Sequence, residues 1–176
     1  MTASVPIEVE RLEGPGAREA IGALAEVLID CVEGGASVSF LAPLTVDRAE
    51  AFWAKVASAV ECGETALFVA RDGAGIQGTV QVVLSLPENQ PHRAEVAKLL
   101  VRRRARRRGI AGALMLAAER RAIAEGKSLL TLDTASTDAE RLYQRLGWTL
   151  CGVIPDFDLN PDRTLCDTSV YWKRIG

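Results

Sequence analysis

Apolar and polar residues alternate with two different periods in the first third of the chain. Residues 7–12 predict a short strand that begins with alternating apolar and charged side chains at 7–10. Apolar residues then recur at helical spacing in two segments, 21–32 and 49–60. We expect Gly14-Pro15-Gly16 to end the strand before the first helix, and Thr45 to cap the second helix. The predicted order of this part is β-α-α.

Three strand patterns follow. Residues 65–70 and 76–84 are rich in β-branched and apolar residues, and the sequence Asp72-Gly73-Ala74-Gly75 between them predicts a hairpin. After the loop 87–91, residues 95–101 form the third strand pattern. These segments predict an antiparallel meander.

The second half of the chain alternates helices and strands. Apolar residues on one face predict a helix from Ile110 to about Gly126, and the apolar run 129–132 predicts a buried strand, so that the two form a β-α-β crossover with the preceding strand. Thr137 and Glu140 have the spacing of a capping box, which predicts another helix that ends at Gly147. The last predicted strands are 148–154 and 168–175.

Composition indicates a folded protein with one core. The chain has 176 residues, of which 48% are hydrophobic and 25% charged, values that are average for globular proteins and exclude disordered and fibrous classes. We therefore expect a single domain over residues 1–176. The most apolar helical region, 21–32, is interrupted by Glu26 and Asp30, and the N-terminus has no basic flank followed by an apolar run. These features predict a cytoplasmic protein without a membrane span.

Cysteine and histidine usage argues against a metal site. The four cysteines contain no Cys-x-x-Cys pair and His92 is the only histidine, so we expect neither a bound metal nor a disulfide framework. A cysteine–histidine enzyme that uses His92 is a weaker alternative. We expect the cysteines to be small buried residues; they are Cys31, Cys62, Cys151 and Cys166.

Charge is concentrated in one short run. Six of the seven residues 102–108 are arginine, whereas the formal net charge of the chain is −2. The run joins a strand to a helix, and the N–H groups in the first turn of a helix have no intrahelical acceptor. Gly109, Ala111 and Gly112 leave room for a ligand, so the segment predicts a pyrophosphate site. A nucleic-acid patch is the alternative, but only 5% of the residues are aromatic and the rest of the chain is acidic. We expect no nucleic-acid partner.

The same segment resembles a known family. The sequence Arg106-Arg107-Arg108-Gly109-Ile110-Ala111 fits the Gln/Arg-x-x-Gly-x-Gly/Ala signature of the GNAT superfamily of acetyl-CoA-dependent N-acetyltransferases. The predicted element order also matches that fold, of the α/β (α+β) class, with a mixed, mostly antiparallel central sheet flanked by helices. Residues 92–101, 129–134 and 155–172 resemble the tabtoxin-resistance type of antibiotic acetyltransferase. Arg103 stands where many members have proline and Arg107 where glycine is usual.

The resemblance implies acetyl-CoA as cosubstrate and places its binding residues. In the family the strand before the loop pairs with the pantetheine arm through its backbone, and the loop holds the pyrophosphate. The cofactor-binding residues carried over are Leu99, Leu100, Val101, Arg106, Arg107, Arg108, Gly109, Ile110, Ala111 and Gly112.

Three residues are candidates for proton transfer. Period-two alternation places Glu95 on one strand face with Ala97 and Leu99, where it could accept the proton of an ammonium group. Asp133 ends an apolar strand, where a carboxylate is costly unless it is hydrogen-bonded or functional. Tyr143 stands where many GNAT enzymes have a tyrosine that protonates the departing CoA thiolate.

The implied function is acetyl transfer to a primary amine of a small molecule, of the antibiotic or toxin type, by direct attack in a ternary complex. Two alternatives stay open: an acetyltransferase that acts on a protein lysine or N-terminus, and a noncatalytic CoA- or nucleic-acid-binding module. Either a monomer or a homodimer, paired through the C-terminal strands, is compatible with the sequence.

Overall fold

Helices cover both faces of a seven-stranded sheet in the computed structural model, which describes residues 6–176. The strands are β1 (Glu8–Leu12), β2 (Thr65–Asp72), β3 (Gly75–Val83), β4 (Arg93–Val101), β5 (Leu129–Thr134), β6 (Thr149–Leu159) and β7 (Leu165–Arg174). The helices are α1 (Gly14–Glu19), α2 (Ile21–Glu33), α3 (Val46–Glu61), α4 (Ile110–Ala124) and α5 (Thr137–Arg145), with a 3₁₀ turn at Arg103–Ala105.

The strands lie in the spatial order β1-β2-β3-β4-β5-β7-β6. Five of the six neighbouring pairs are antiparallel, and the pair β4–β5 is parallel. A parallel pair needs a long crossover, which α4 provides here. The predicted mixed, mostly antiparallel sheet flanked by helices is confirmed.

The core has two layers, one on each face of the sheet. On one face α4 and α5 pack against apolar side chains of the strands, with Leu114, Met115 and Leu130 fully buried. On the other face α1, α2 and α3 form a second cluster around Leu28 and Trp53. Because the central strands have a helical layer on each face, their apolar residues are nearly continuous in sequence.

Two details at helix N-termini differ from the prediction. Gly14-Pro15-Gly16 does not separate a strand from a helix but forms the first turn of α1, where proline needs no backbone N–H partner. The N-cap of α5 is Ser136, whose hydroxyl accepts from the Ala139 N–H at 3.3 Å, so the predicted Thr137–Glu140 capping box is wrong. Serine at the preceding position satisfies the same orphan donors.

The C-terminal hairpin is longer than predicted. β6 continues through Pro155 to Leu159, and β7 begins at Leu165 instead of Thr168. Proline is tolerated here because β6 is an edge strand, and the pairing is irregular between Ile154 and Asp158. The extension includes Asp158, which lines the cleft described below.

The cysteines and the helices bear on two further predictions. All four cysteines are free, but only Cys31 is buried. Cys62 and Cys151 are exposed, so the predicted burial is wrong for these two residues. Within residues 6–176, none of the helices combines the length and apolar character needed to cross a membrane.

Candidate active site

The two central parallel strands separate before β4 ends, and a cleft opens between them. β5 pairs with β4 from Arg93 as far as Glu95, which lies opposite Thr131. On its other edge β4 stays paired with β3 as far as Val101. Residues 96–101 therefore present the N–H and C=O groups of one strand edge to the cleft, which has a volume of about 810 Å³.

A bulge in β4 shapes the wall of the cleft. Between the pairs Thr79–Leu100 and Gln81–Ala97, two residues of β4 lie against one residue of β3. Lys98, one of these two, has φ of 49°, a left-handed conformation that is uncommon for residues other than glycine.

This bulge reverses the direction of the side chains that follow it. Val96 and Leu99 both belong to the core layer under α4, whereas Leu100 belongs to the layer under α2 and α3. The expectation that Glu95, Ala97 and Leu99 share one face is therefore wrong, because the extra residue shifts the alternation by one position.

The N-terminus of α4 faces the same cleft. Gly109 precedes the helix with φ of 77°, which glycine adopts without steric cost. The Ala113 N–H donates to the Gly109 carbonyl at 3.1 Å and makes the first helical hydrogen bond. The N–H groups of Ile110, Ala111 and Gly112 thus have no acceptor within the helix, and these three residues line the cleft. Together with the helix dipole, they fit the pyrophosphate predicted from the sequence.

Three arginines of the run bind carboxylates of this chain. The ion pairs are Arg102 with Glu26 at 2.7 Å, Arg103 with Asp30 at 2.9 Å and Arg108 with Asp72 at 2.9 Å. Burial alone raises the pKa of Asp30, but the backbone N–H and guanidinium of Arg103 outweigh burial and hold that pKa below its ordinary value. These arginines attach the loop to α2 and to the β2–β3 hairpin.

Arg106 and Arg107 lie in the wall of the cleft. The Arg106 Nε donates to the Val101 carbonyl at 3.3 Å, which holds its side chain along the end of β4. Arg107 has φ of 61°, so it adopts the backbone conformation for which glycine is the easiest residue. Keeping arginine there costs about 1–3 kcal/mol of strain. The side chain of Arg108, also predicted at the cofactor, points to Asp72 instead.

Asp133 is the second-to-last residue of β5, beyond the point where β5 separates from β4, and it lines the cleft. Burial is the main cause that raises its pKa above the ordinary value. The nearby carboxylate of Asp158 raises that pKa further, whereas the ammonium of Lys98 opposes the shift. A carboxylate with a raised pKa is a better proton acceptor than an ordinary one.

Glu95 is held differently. Its carboxylate accepts from the Arg93 guanidinium at 2.8 Å. The same guanidinium donates to the Thr131 hydroxyl at 2.7 Å and to Gln90. Glu95 therefore takes part in a network that joins β4 to β5 just before the strands separate, outside the residues that line the cleft.

Tyr143 approaches the cleft from α5. Its side chain is only 5% exposed and packs at tilted angles against Trp148 and Tyr171. Burial raises the pKa of Tyr143 well above its ordinary value, and the charge of Asp133 raises it further. Within residues 6–176 the hydroxyl has no hydrogen-bond partner, although Tyr143 lines the cleft.

Sequence reasoning assigned no individual role to three polar residues of the cleft. Lys98, Asp158 and Ser39 all line it. Lys98 donates to the Ser39 hydroxyl at 3.1 Å, a contact between β4 and the α2–α3 loop. Period-two alternation places Lys98 on the same strand face as Ala94, Val96 and Leu100. A lysine on this otherwise apolar face was the signal that could have marked it.

Comparison with known proteins shows the class to which this chain belongs. Residues 36–148 match the model of the acetyltransferase (GNAT) family. An N-acetyltransferase from Staphylococcus aureus Mu50 is similar over 97% of this chain and 99% of its own, with 18% identity and a TM-score of 0.79. A phosphinothricin acetyltransferase from Sinorhizobium meliloti, solved with acetyl-CoA, is similar over 97% of this chain and 89% of its own, with 19% identity and a TM-score of 0.79.

A third solved structure is similar as well. The yncA protein of Salmonella typhimurium, with its cofactor acetyl-CoA, covers 97% of this chain and 94% of its own, with 14% identity and a TM-score of 0.78. The fold is thus that of GNAT-type acetyltransferases. The chain belongs to the acetyltransferase (GNAT) family, and acetyl-CoA is the cosubstrate, as expected from the signature.

The divided use of the arginines leads to a prediction. Arg103→Ala removes the guanidinium from Asp30, and we expect thermal unfolding to begin about 2–4 °C lower with an unchanged KM for acetyl-CoA. Arg107→Gly removes a charge from the cleft and relieves the positive φ, so we expect KM for acetyl-CoA to rise about tenfold without a loss of Tm. Calorimetry and initial rates measure both effects. Equal effects of the two changes on KM would contradict this division.

Proposed function

We propose that this protein, as a single domain over residues 1–176, transfers the acetyl group of acetyl-CoA to a primary amine of a small molecule. The proposed acceptor is an antibiotic or toxin, as for the tabtoxin-resistance type, and attack is direct in a ternary complex. The observation that best supports this proposal is the distribution of charge in the cleft, with Arg106 and Arg107 at one end and Asp133 and Asp158 at the other. An anionic cosubstrate suits the first end and a cationic amine suits the second. A phosphinothricin acetyltransferase among the similar structures also supports a small-molecule acceptor.

In this proposal Asp133 is the general base. An amine is a nucleophile only after its ammonium form has lost a proton, and Asp133 accepts that proton directly or through one water. The raised pKa of Asp133 brings its proton affinity closer to neutral pH, which favours this role. Glu95 is the second candidate, and its ion pair with Arg93 argues for a positioning role at the point of strand separation.

Tyr143 is the proposed acid. Its raised pKa keeps the hydroxyl protonated, and the absence of a hydrogen-bond acceptor within the described residues leaves that proton available to the cleft. When the thioester bond breaks, the CoA sulfur takes up this proton and leaves as a thiol. The proton then returns to Tyr143 from solvent.

The backbone of β4 is proposed to bind the acetylated arm. Leu99, Leu100 and Val101 lie on the strand edge that β5 leaves unpaired. Along an extended strand, alternate residues direct N–H and C=O groups to this edge, so they can pair with an amide-containing arm and polarise a thioester carbonyl. The first turn of α4, from Gly109 through Ile110 and Ala111 to Gly112, holds the phosphates.

The test is a thiol-release assay with acetyl-CoA and a panel of amines that includes amino acids, diamines, aminoglycosides and peptides with a free N-terminus. We expect thiol release with at least one small amine, together with the acetylated product by mass spectrometry. Acetyl-CoA at about one hundred times its Kd is expected to stabilise the fold by about 2.7 kcal/mol. Thermal unfolding with and without acetyl-CoA measures this independently of turnover.

Two outcomes would replace the proposal. Acetylation of peptides alone would favour a protein acceptor. Stabilisation by acetyl-CoA without any acetylated product would favour a noncatalytic CoA-binding module. RNA binding that weakens with salt and does not respond to acetyl-CoA would contradict the role of the α4 N-terminus.

A further inference from the structure

Lys98 is a cation at the acceptor end of the cleft that the proposed transfer chemistry does not use. It lies in the β4 bulge with φ of 49°, and its ammonium donates to the Ser39 hydroxyl at 3.1 Å. The same ammonium lies over the ring of Phe52 in α3, 5.7 Å from its centroid. A loop hydroxyl and an aromatic face therefore fix the position of the charge.

The charges around Lys98 are arranged differently from those of the arginine loop. Asp133 and Asp158 act on it electrostatically and raise its pKa, while burial, the larger effect, lowers it. Within residues 6–176, neither carboxylate approaches the Lys98 ammonium within 4.0 Å, the limit for an ion pair. In contrast, Arg102 and Arg103 form ion pairs with carboxylates of α2. Lys98 thus has hydrogen-bonding capacity left for a ligand, since an ammonium group has three donors.

The position of Lys98 separates it from the phosphate site. Phe52 belongs to the core layer on the α1–α3 face of the sheet, whereas Ile110, the first residue of α4, belongs to the opposite layer. Asp133 and Asp158 are the carboxylates that act on Lys98, so its charge belongs to the acceptor end of the cleft.

Conformational strain also marks this residue. A non-glycine residue with positive φ costs about 1–3 kcal/mol and persists where the surroundings determine it. Glycine or asparagine would form the same bulge at lower cost. At Lys98 this conformation holds the ammonium beside the Ser39 hydroxyl and the Phe52 ring.

We propose that Lys98 binds an anionic group of the acceptor, so that the acceptor is a compact amino acid whose ammonium faces Asp133 and Asp158 and whose carboxylate faces Lys98. This inference rests on the proposed acetyl transfer and names its substrate class. A diamine of similar size matches the site less well, because its second ammonium meets Lys98 with the same sign of charge. The carboxylate of the amino acid offsets that charge and makes a charge-assisted hydrogen bond.

The experiment compares an α-amino acid with its own carboxamide as acceptors, in the wild type and in Lys98→Met. The two acceptors differ in ammonium pKa, so the decisive quantity is the change in the ratio of their kcat/KM values between enzymes, in which that difference cancels. We expect the acid-to-amide ratio to fall about tenfold or more in Lys98→Met, mainly through KM for the acid. Lys98→Arg is expected to restore part of the ratio. The control is Lys55→Met, the same change on an exposed position of α3.

Each outcome decides between the two proposals. An acid-to-amide ratio that changes less than twofold in Lys98→Met would overturn the inference while leaving acetyl transfer intact. Failure of every amine to react would overturn the proposed function instead. If Lys98→Met does not fold, the wild type still provides a test. A carboxylic acid with the same carbon skeleton but no amine must compete with the acceptor, and inhibition equal to that by its uncharged amide would contradict the inference.

Discussion

Replacing Asp133 by asparagine is expected to lower kcat/KM for the acceptor amine about a thousandfold, within the range that a positioned general base contributes. Asparagine keeps the size and hydrogen-bonding capacity of the side chain but cannot accept the ammonium proton. Asp133 has a raised pKa through burial and through Asp158, so the wild-type rate should fall as pH drops below that pKa. Initial rates against pH measure this limb, which should disappear in Asp133→Asn.

Asp133→Asn is expected to change stability and rate in opposite directions. A carboxyl group whose pKa is higher in the folded protein than in the unfolded chain favours folding at low pH and opposes it once ionised. At neutral pH the Asp133 carboxylate therefore costs stability, and Asp133→Asn should melt at the same temperature as the wild type or higher. A lower Tm would mean that its loss of activity reports unfolding.

Glu95→Gln is the matched control for the choice of base. Glu95 is bound by Arg93 and lies outside the residues that line the cleft, so we expect a loss of about tenfold or less. Loss of about a thousandfold in Glu95→Gln with near-normal rates in Asp133→Asn would reverse the assignment of the general base.

The helix side of the cleft could be predicted from the sequence because it depends on local backbone chemistry. The order of an apolar strand, a glycine and an amphipathic helix specifies an exposed helix N-terminus whatever the rest of the fold does. The roles of the arginines could not be predicted, since their partners are distant in sequence. Asp30 lies on α2 and Asp72 on a hairpin, and only folding brings them to the run.

The acceptor side of the cleft was harder to predict from the sequence, because it depends on a change of strand register in β4. Strict alternation predicts that Glu95 and Leu99 share a face, and one inserted residue in β4 cancels that prediction for everything after Ala97. The same insertion brings Lys98 into the cleft. The sequence pattern also predicted an end of β6 at residue 154, because proline at 155 is more common in loops than in strands. Asp158 therefore remained outside the predicted strands.

Gly78→Ala is expected to destabilise the protein by about 2 kcal/mol, through overpacking where β3, β4 and α4 meet. A Cβ on Gly78 would lie 2.8 Å from the Leu100 carbonyl oxygen, 3.1 Å from Ile110 Cγ2 and 3.2 Å from Leu114 Cδ1. The carbonyl belongs to the backbone of β4 and cannot rotate away, so either β4 or the start of α4 must shift. For a chain of this size the expected fall in Tm is about 4–8 °C.

The same shift should weaken acetyl-CoA binding, because Ile110 is the first residue of the helix whose N–H groups face the cleft. Gly152→Ala is the matched control: a Cβ there meets no atom within 4 Å, and Gly152 lies on the edge strand β6. Thermal unfolding and acetyl-CoA titration of the two variants separate the contact from the general effect of adding a methyl group to a strand. If Gly78→Ala matched Gly152→Ala in both measurements, the close approach at Gly78 would not hold α4 in place, and the geometry of the phosphate site would have to depend on the arginine ion pairs instead.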